Sequence, residues 1–294
     1  MIHERANRHT LTHEAMATTF KLTVGHADPV YARQACAEAF AELERIEGRL
    51  SRFIESSDVS RINRLGQGQS TVVQLDTFEC LRIALEVQRE TRGAFDVAYG
   101  SAGPVPSGPR FELSDEDHAV RVLAASVRLD LGGIGKGFAL DRMAVLLADW
   151  EVDSALLAAS TSTLLAPGWS HWRPAGASEE HGQDARATVQ ETSGWPVTFG
   201  PEQDLQRLVL CNRALSGSGT AVKGDHIVDP RAGRPAKDRA GAWAGAPCAA
   251  VADALSTAFL VMTEGEIRDY CLRHREVSAH VLPTAAGKVQ AIAP

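Results

Sequence analysis

No CxxC pair occurs in this chain, and its five cysteines, Cys36, Cys80, Cys211, Cys248 and Cys271, are odd in number. Both facts speak against a zinc site or a complete disulfide framework, and scattered cysteines of this kind are expected as small buried apolar residues. No stretch approaches the roughly 20 apolar residues that span a bilayer. Met1 to Ala17 holds His3, Glu4, Arg5, Arg8, His9, His13 and Glu14, so the apolar core of a signal peptide is missing. The expectation is a soluble cytoplasmic protein in which residues 1–17 form a poorly ordered extension. An excess of positive charge is missing as well. Lys and Arg number 30 against 37 Asp and Glu, a net charge of −7. That speaks against non-specific nucleic-acid binding, where a basic surface supplies most of the affinity, and leaves room only for a local basic pocket.

What is present is ample core material: 294 residues, 44% of them hydrophobic, enough for one large domain or two. Thr18 to Val24 alternates and is β-branched, which predicts a strand. Asp28-Pro29 opens a long amphipathic helix to about Leu50, with Ala32, Cys36, Ala39, Phe40, Leu43 and Ile46 on one face. A polar connector follows to Asn63. Asp76-Thr77-Phe78-Glu79 has capping-box spacing and predicts a helix ending before Gly93. Val127 to Leu131 reads as a strand, Lys136 to Trp150 as a helix, and 155–158 with 163–166 as a hairpin. An exposed loop is expected at 171–186, strands at 188–190 and 206–215, a helix to about Met262, a short helix at 265–274 and a closing strand at 277–282. No internal repeat and no clear linker is visible. Helices and strands mix without regular alternation, which favours an α+β fold.

Three segments could carry chemistry. Ala252-Asp253-Ala254-Leu255-Ser256-Thr257-Ala258 sets a carboxylate and a hydroxyl four residues apart, on one face of a helix. Two hard oxygens suit Mg²⁺ or Ca²⁺. A solvent-facing Asp and a Thr bonded to its own i−4 carbonyl would read the same, but so apolar a helix is buried, and a buried Asp needs a partner or a metal. Asp130-Leu-Gly-Gly-Ile-Gly-Lys-Gly137 is a glycine turn into a helix start, where free N–H groups and Lys136 could meet an anion. It is not a Walker A loop, because the glycine spacing differs and Phe138 stands where Ser or Thr belongs. By itself it is equally a tight turn with a surface lysine. His226-Ile-Val-Asp-Pro-Arg-Ala-Gly233 puts a titratable ring before an Asp-Pro turn, a proton acceptor or a satisfied histidine beside a turn. Ser216-Gly-Ser-Gly-Thr220 could wrap a phosphate or simply connect a hairpin.

In this order the segments resemble the ApbE-type flavin transferases, the FAD:protein FMN transferases. The resemblance runs from Met16-Ala-Thr-Thr-Phe20 to Met262 and includes Leu50-Ser-Arg-Phe53 with 57–63, Gly93-Ala-Phe-Asp96, 130–141, 226–235 and 252–262. It implies one α+β domain over 1–294, with mixed, largely antiparallel sheets flanked by helices in a compact two-lobed unit. It also implies Mg²⁺-dependent transfer of FMN from FAD to a Ser or Thr hydroxyl of an acceptor flavoprotein, with release of AMP. Carried over by motif position, Met16, Phe53, Ala94, Phe95, Asp96, Asp130, Lys136 and Ile227 would contact FAD. Gly133 would offer its carbonyl to Mg²⁺ beside the side chains of Asp253 and Thr257. His226 is the candidate for deprotonating or orienting the acceptor hydroxyl, with Asp253 and Lys136 completing the catalytic set.

The chain departs from the family at three points. Ala158-Ala-Ser-Thr-Ser162 stands where a Gly-Gly-Asp stretch is usual, the stretch from Ser216 to His226 is short, and the export and lipid-anchor signal of many members is not seen. Alternatives are an FAD pyrophosphatase with water as the nucleophile, a flavin-binding relative without catalysis, and a structural α+β protein with chance motifs.

Overall fold

The computed structural model describes residues 7–101, 108–152, 154–168, 194–219, 228–236 and 239–292. Strand β1 (Arg8–Ala15) pairs antiparallel with β2 (Thr18–Gly25) through the two-residue turn Met16-Ala17. Both turn residues have φ near +50°, the conformation a right-twisted hairpin needs. The expected disorder of residues 1–17 is therefore corrected for Arg8 to Met16. The inner face of β1 mixes His9 and His13 with Leu11 and Ala15, which blurs its alternation, and β1 sits at the sheet edge, where such residues are tolerated. Helix α1 (Pro29–Leu50) starts as expected, with Asp28 accepting from Val30 and Tyr31. A short helix, α2 (Asp58–Ile62), follows from a Ser57 cap.

Strand β3 (Ser70–Val72) leads into α3 (Leu75–Glu90). The expected Asp76 cap is not used. Helix α3 begins two residues earlier, behind Gln74, and Asp76 in its first turn pairs with Arg49 and Arg142. Asp58 supplies the acceptor instead, taking Gln74 N at 2.9 Å and Thr77 Oγ1 at 2.8 Å. Strands β4 (Phe111–Ser114) and β5 (Ala119–Val122) join β3 in a small sheet of order β3-β5-β4 that sequence reading missed. Val127 to Leu131, expected as a strand, joins no sheet. Its backbone is held by the Asn63 amide, which accepts from Leu129 N at 2.6 Å and donates to Leu129 O at 3.0 Å. A side chain thus replaces a neighbouring strand.

Helix α4 (Gly135–Asp149) and the hairpin of β6 (Ser154–Ala159) and β7 (Thr163–Ala166) fall where expected. The expected features at 171–186 and 188–190 lie outside the described residues. Strands β8 (Trp195–Phe199) and β9 (Gln206–Leu210) pair, and the single strand expected over 206–215 is broken at Asn212, with φ +54°, before β10 (Arg213–Gly219). A two-stranded ribbon of β11 (Val228–Asp229) and β12 (Arg234–Pro235) comes next, then β13 (Gly241–Ala246), α5 (Ala249–Val261), α6 (Glu264–Arg273), β14 (Ser278–Leu282) and β15 (Gln290–Ile292).

The main sheet has the order β1-β2-β6-β7-β10-β13-β14-β15, and every described strand pair in the chain is antiparallel. The α+β expectation holds. Helices α1, α4 and α5 cover one face, where Phe20, Leu22, Leu43, Ile46, Phe138, Leu255 and Phe259 form the core. A smaller cluster of Val197, Phe199, Leu210 and Leu215 lies on the other face, under the β8–β9 hairpin. Alternation along β10 sets the site. Ala214, Ser216 and Ser218 point to the helices, and Leu215 points away. Four of the five cysteines are buried, as expected of small apolar residues. No described helix is long and apolar enough to cross a membrane.

Candidate active site

The centre of the site is α5. Its sequence, AAVADALSTAFLV, is rich in alanine and leucine, strong helix formers, and it buries almost every residue. Leu255 and Phe259 are fully enclosed, each contributing about 1.5–3 kcal/mol by removal from water. The helix ends are held from elsewhere. Asp141 of α4 accepts from Ala249 N and Ala250 N, both at 2.8 Å. At the other end Arg239 donates to Phe259 O at 2.7 Å and Arg231 to Val261 O at 3.1 Å. Guanidiniums at a helix C-terminus also oppose its dipole.

Asp253 is 3% exposed and each of its oxygens has two partners. Oδ2 faces Lys136 Nζ at 3.3 Å and accepts from Gly137 N at 3.1 Å. Oδ1 meets Thr163 Oγ1 at 3.2 Å and Ser216 Oγ at 3.1 Å. The Asp expected on α5 is thus buried and paired, which removes the alternative of a solvent-facing Asp, while Thr257 Oγ1 does lie 3.4 Å from its own i−4 carbonyl, Asp253 O. Lys136 also donates to Gly132 O at 3.0 Å. An ammonium has three donors, so Lys136, with 23% of its side chain exposed, keeps one for an incoming anion.

Thr257 is half-buried one turn on, next to Ser218 Oγ at 3.2 Å, and Ser218 in turn lies 2.8 Å from Ser256 Oγ. Gly133 touches this group. A Cβ at Gly133 would stand 3.3 Å from both Thr257 Oγ1 and Phe95 Cε2, so a side chain there would crowd the backbone approach. Among the described residues no three His, Cys, Asp or Glu side chains converge. The donors gathered here are instead one carboxylate, hydroxyls and backbone. This set fits Mg²⁺, which takes few protein ligands when substrate phosphates supply the rest, and it does not fit zinc.

The expected flavin contacts fall in two places. Ala94 and Phe95 are buried, and the Phe95 ring lies beside Gly133. Asp96 accepts from Ala98 N at 2.8 Å, and its pKa is raised, chiefly by burial, against the pull of that N–H and of Arg110. Asp130 is tied to the same segment through Asp130 N to Val97 O at 2.8 Å. Its carboxylate accepts from Gly132 N and pairs with Arg52 at 3.2 Å. Arg52 lies 4.4 Å over the ring of Phe53, which is 81% exposed. Met16 donates its N–H to Glu47 in the last turn of α1, near the helix end that Phe53 follows. His226 and Ile227 lie outside the described residues. The turn after them is ordered by Asp229, which accepts from Arg231 N at 2.9 Å and from Gly233 N at 2.8 Å.

Sequence reading missed Thr163 and Asp141, and it took Ser216 and Ser218 for a phosphate loop or a hairpin connection, whereas they lie on strand β10 facing Asp253 and Thr257. Single hydroxyls on strands leave no local mark. The only available signal for Asp141 was a carboxylate in the apolar run of α4. Burial pushes the Asp141 carboxyl up to about 7, with the Ala249 and Ala250 N–H groups and Arg142 opposing and Asp253 adding to the rise. Buried Cys80 of α3 also lies near both carboxylates. A folded-state value above the ordinary 3.8 means that the folded chain holds more protons than the unfolded one between about pH 4 and 7, so stability falls as pH rises across that window. Urea unfolding of Asp141→Asn from pH 4.5 to 7.5 should show a flatter profile than the parent. Parallel profiles would contradict this assignment.

The ApbE family model matches residues 16–281, nine-tenths of the chain by count. The chain belongs to the ApbE family. The resemblance read from the motifs is borne out. Among ApbE relatives, the FAD:protein FMN transferase of Treponema pallidum (strain Nichols) is 27% identical over 281 residues, covering 79% of this chain and 74% of its own. The crystal structure of the apo Pseudomonas stutzeri flavinyl transferase ApbE superposes with a TM-score of 0.77 at 19% identity, covering 99% of this chain and 96% of that one. The ApbE protein from Thermotoga maritima gives 0.74 at 22% identity, covering 97% of each. At these identities the two structures establish the shared ApbE fold.

Proposed function

We propose that this chain is an Mg²⁺-dependent FAD:protein FMN transferase. The relative from Treponema pallidum is named an FAD:protein FMN transferase. The observations that support the reading most are two contacts at the start of α4, Lys136 against Asp253 at 3.3 Å and Gly133 against the Thr257 hydroxyl. Attack on a pyrophosphate gathers negative charge on phosphoryl oxygens, and preorganised cations and N–H dipoles stabilise it. Gly133 O, Asp253 and Thr257 would hold Mg²⁺, which when bound neutralises pyrophosphate charge. Lys136 offers its remaining N–H to the same oxygens. Phe53, Ala94, Phe95, Asp96 and Asp130 would bind the rest of FAD, with Met16 and Ile227.

The acceptor Ser or Thr oxygen attacks the phosphorus of the FMN half. A new P–O bond forms, the bond to the AMP phosphate breaks, and AMP leaves with the bridging oxygen. His226 is the proposed recipient of the hydroxyl proton.

The test is AMP release from FAD with and without Mg²⁺, in the presence of an acceptor protein bearing a Ser/Thr target, with covalent flavin read by in-gel fluorescence. Metal-dependent AMP with a fluorescent acceptor is expected. AMP with free FMN and an unlabelled acceptor would assign water as the nucleophile. FAD binding without AMP would reject catalysis altogether.

A further inference from the structure

Helices α4 and α5 meet at the site, and neither has a cap from its own sequence. The residues preceding them, Ile134 and Cys248, make no side-chain cap bond, and neither first turn contains an acidic residue. Buried helix N-termini need acceptors for their free N–H groups, and here each helix supplies them to the other. Asp253 of α5 accepts from Gly137 N in the first turn of α4. Asp141 of α4 accepts from Ala249 N and Ala250 N in the first turn of α5. Between these three bonds the backbones touch, since a Cβ at Gly137 would lie 2.1 Å from Ala249 O.

From this reciprocal capping we infer that Asp141 is a positioning residue for Asp253. It pins the first turn of α5 to α4, one helical turn before Asp253, and so fixes where that carboxylate meets Lys136 and Gly137. Asp141 is 1% exposed and both of its oxygens accept from the first turn of α5, so it acts through that helix. The inference rests on the reading of Asp253 as part of a metal and phosphate site. A site carboxylate needs placement to within about 0.5 Å, and a shift of about 1 Å costs on the order of 10²-fold in rate.

The experiment is Asp141→Asn in the full chain, read in two ways. The first is amide hydrogen exchange at Gly137, with Leu22 of β2 as the control for global opening. Exchange at Gly137 should accelerate by about tenfold or more relative to Leu22 if Asp141 positions Asp253. The second is the Mg²⁺ concentration that half-saturates AMP release. It should rise by about tenfold, with half-saturation by FAD within about threefold of the parent and recovery at high Mg²⁺. A purely structural role would lower the melting temperature and leave both the Gly137-to-Leu22 ratio and the Mg²⁺ requirement unchanged, and that result overturns the inference. If the parent releases no AMP, the functional reading fails by itself and the exchange arm still decides about Asp141. Should the variant not fold, the wild-type protein decides. Gly137, Ala249 and Ala250 should then open together, with one denaturant dependence, ahead of Leu22, and separate opening rejects the coupling.

Discussion

Asp253→Asn is expected to lower AMP release from FAD by about 10³-fold at saturating Mg²⁺, the scale on which removal of a preorganised charge or donor acts at a phosphoryl or oxyanion site. The substitution keeps the volume of a buried side chain. It removes the charge that faces Lys136 at 3.3 Å and turns one acceptor oxygen into an NH₂ group among donors. Gly137 N, Thr163, Ser216 and Lys136 all depend on those two oxygens. A stability loss of about 1–3 kcal/mol should accompany the change, the cost of a buried polar group left unsatisfied. Alanine would strand all four partners and confuse the two effects. Chromatographic assay of AMP beside a thermal melt separates them. A folded variant that keeps activity within tenfold of the parent would remove Asp253 from the mechanism.

Gly137→Ala should have the largest effect on stability of any single methyl addition near the site. The new Cβ would stand 2.1 Å from Ala249 O, 2.5 Å from Ala249 C and 2.8 Å from Ala250 N. These are backbone atoms of another helix, so no side chain can swing aside. The expected loss is about 3 kcal/mol, the upper part of the overpacking range, with α5 forced from α4 and activity lost with it. Gly48→Ala in α1 is the control. Nothing lies within 4 Å of its new methyl, and replacing a helical glycine should stabilise by about 0.5–1 kcal/mol. Urea unfolding of the pair should move the midpoints in opposite directions. Equal midpoints for Gly137→Ala and the parent would show that the helices are not in backbone contact.

The legible parts of the molecule were those written into adjacent residues. Asp28-Pro29 announces α1, the alanine-rich run announces α5, and Asp253 with Thr257 at i,i+4 announces two oxygens on one face. The glycine turn before Lys136 was also visible, as was the hairpin of β6 and β7. What stayed hidden depends on partners distant in the chain. Asn63 substitutes for a strand beside Leu129, 66 residues away, and no local pattern at 127–131 could reveal that. Asp58 displaces Asp76 as the acceptor for α3 because two arginines claim Asp76. The three strands β3, β4 and β5 are three or four residues long, too short for alternation to register. Thr163 and Ser216 become site residues only because neighbouring strands bring both hydroxyls under one carboxylate.

The four partners of Asp253 precede it by 117, 116, 90 and 37 residues. During synthesis, which runs from the N-terminus, Lys136, Gly137, Thr163 and Ser216 all emerge before their shared acceptor exists. The face of β7 and β10 that α5 covers, with Leu165 and Ala214, stays open to solvent over the same interval. Contacts this distant in sequence also form late and slowly. A nascent chain that has not yet delivered residue 261 therefore offers a chaperone an apolar, half-assembled sheet, and α5, made late, both covers that face and supplies the acceptor that the four earlier donors share.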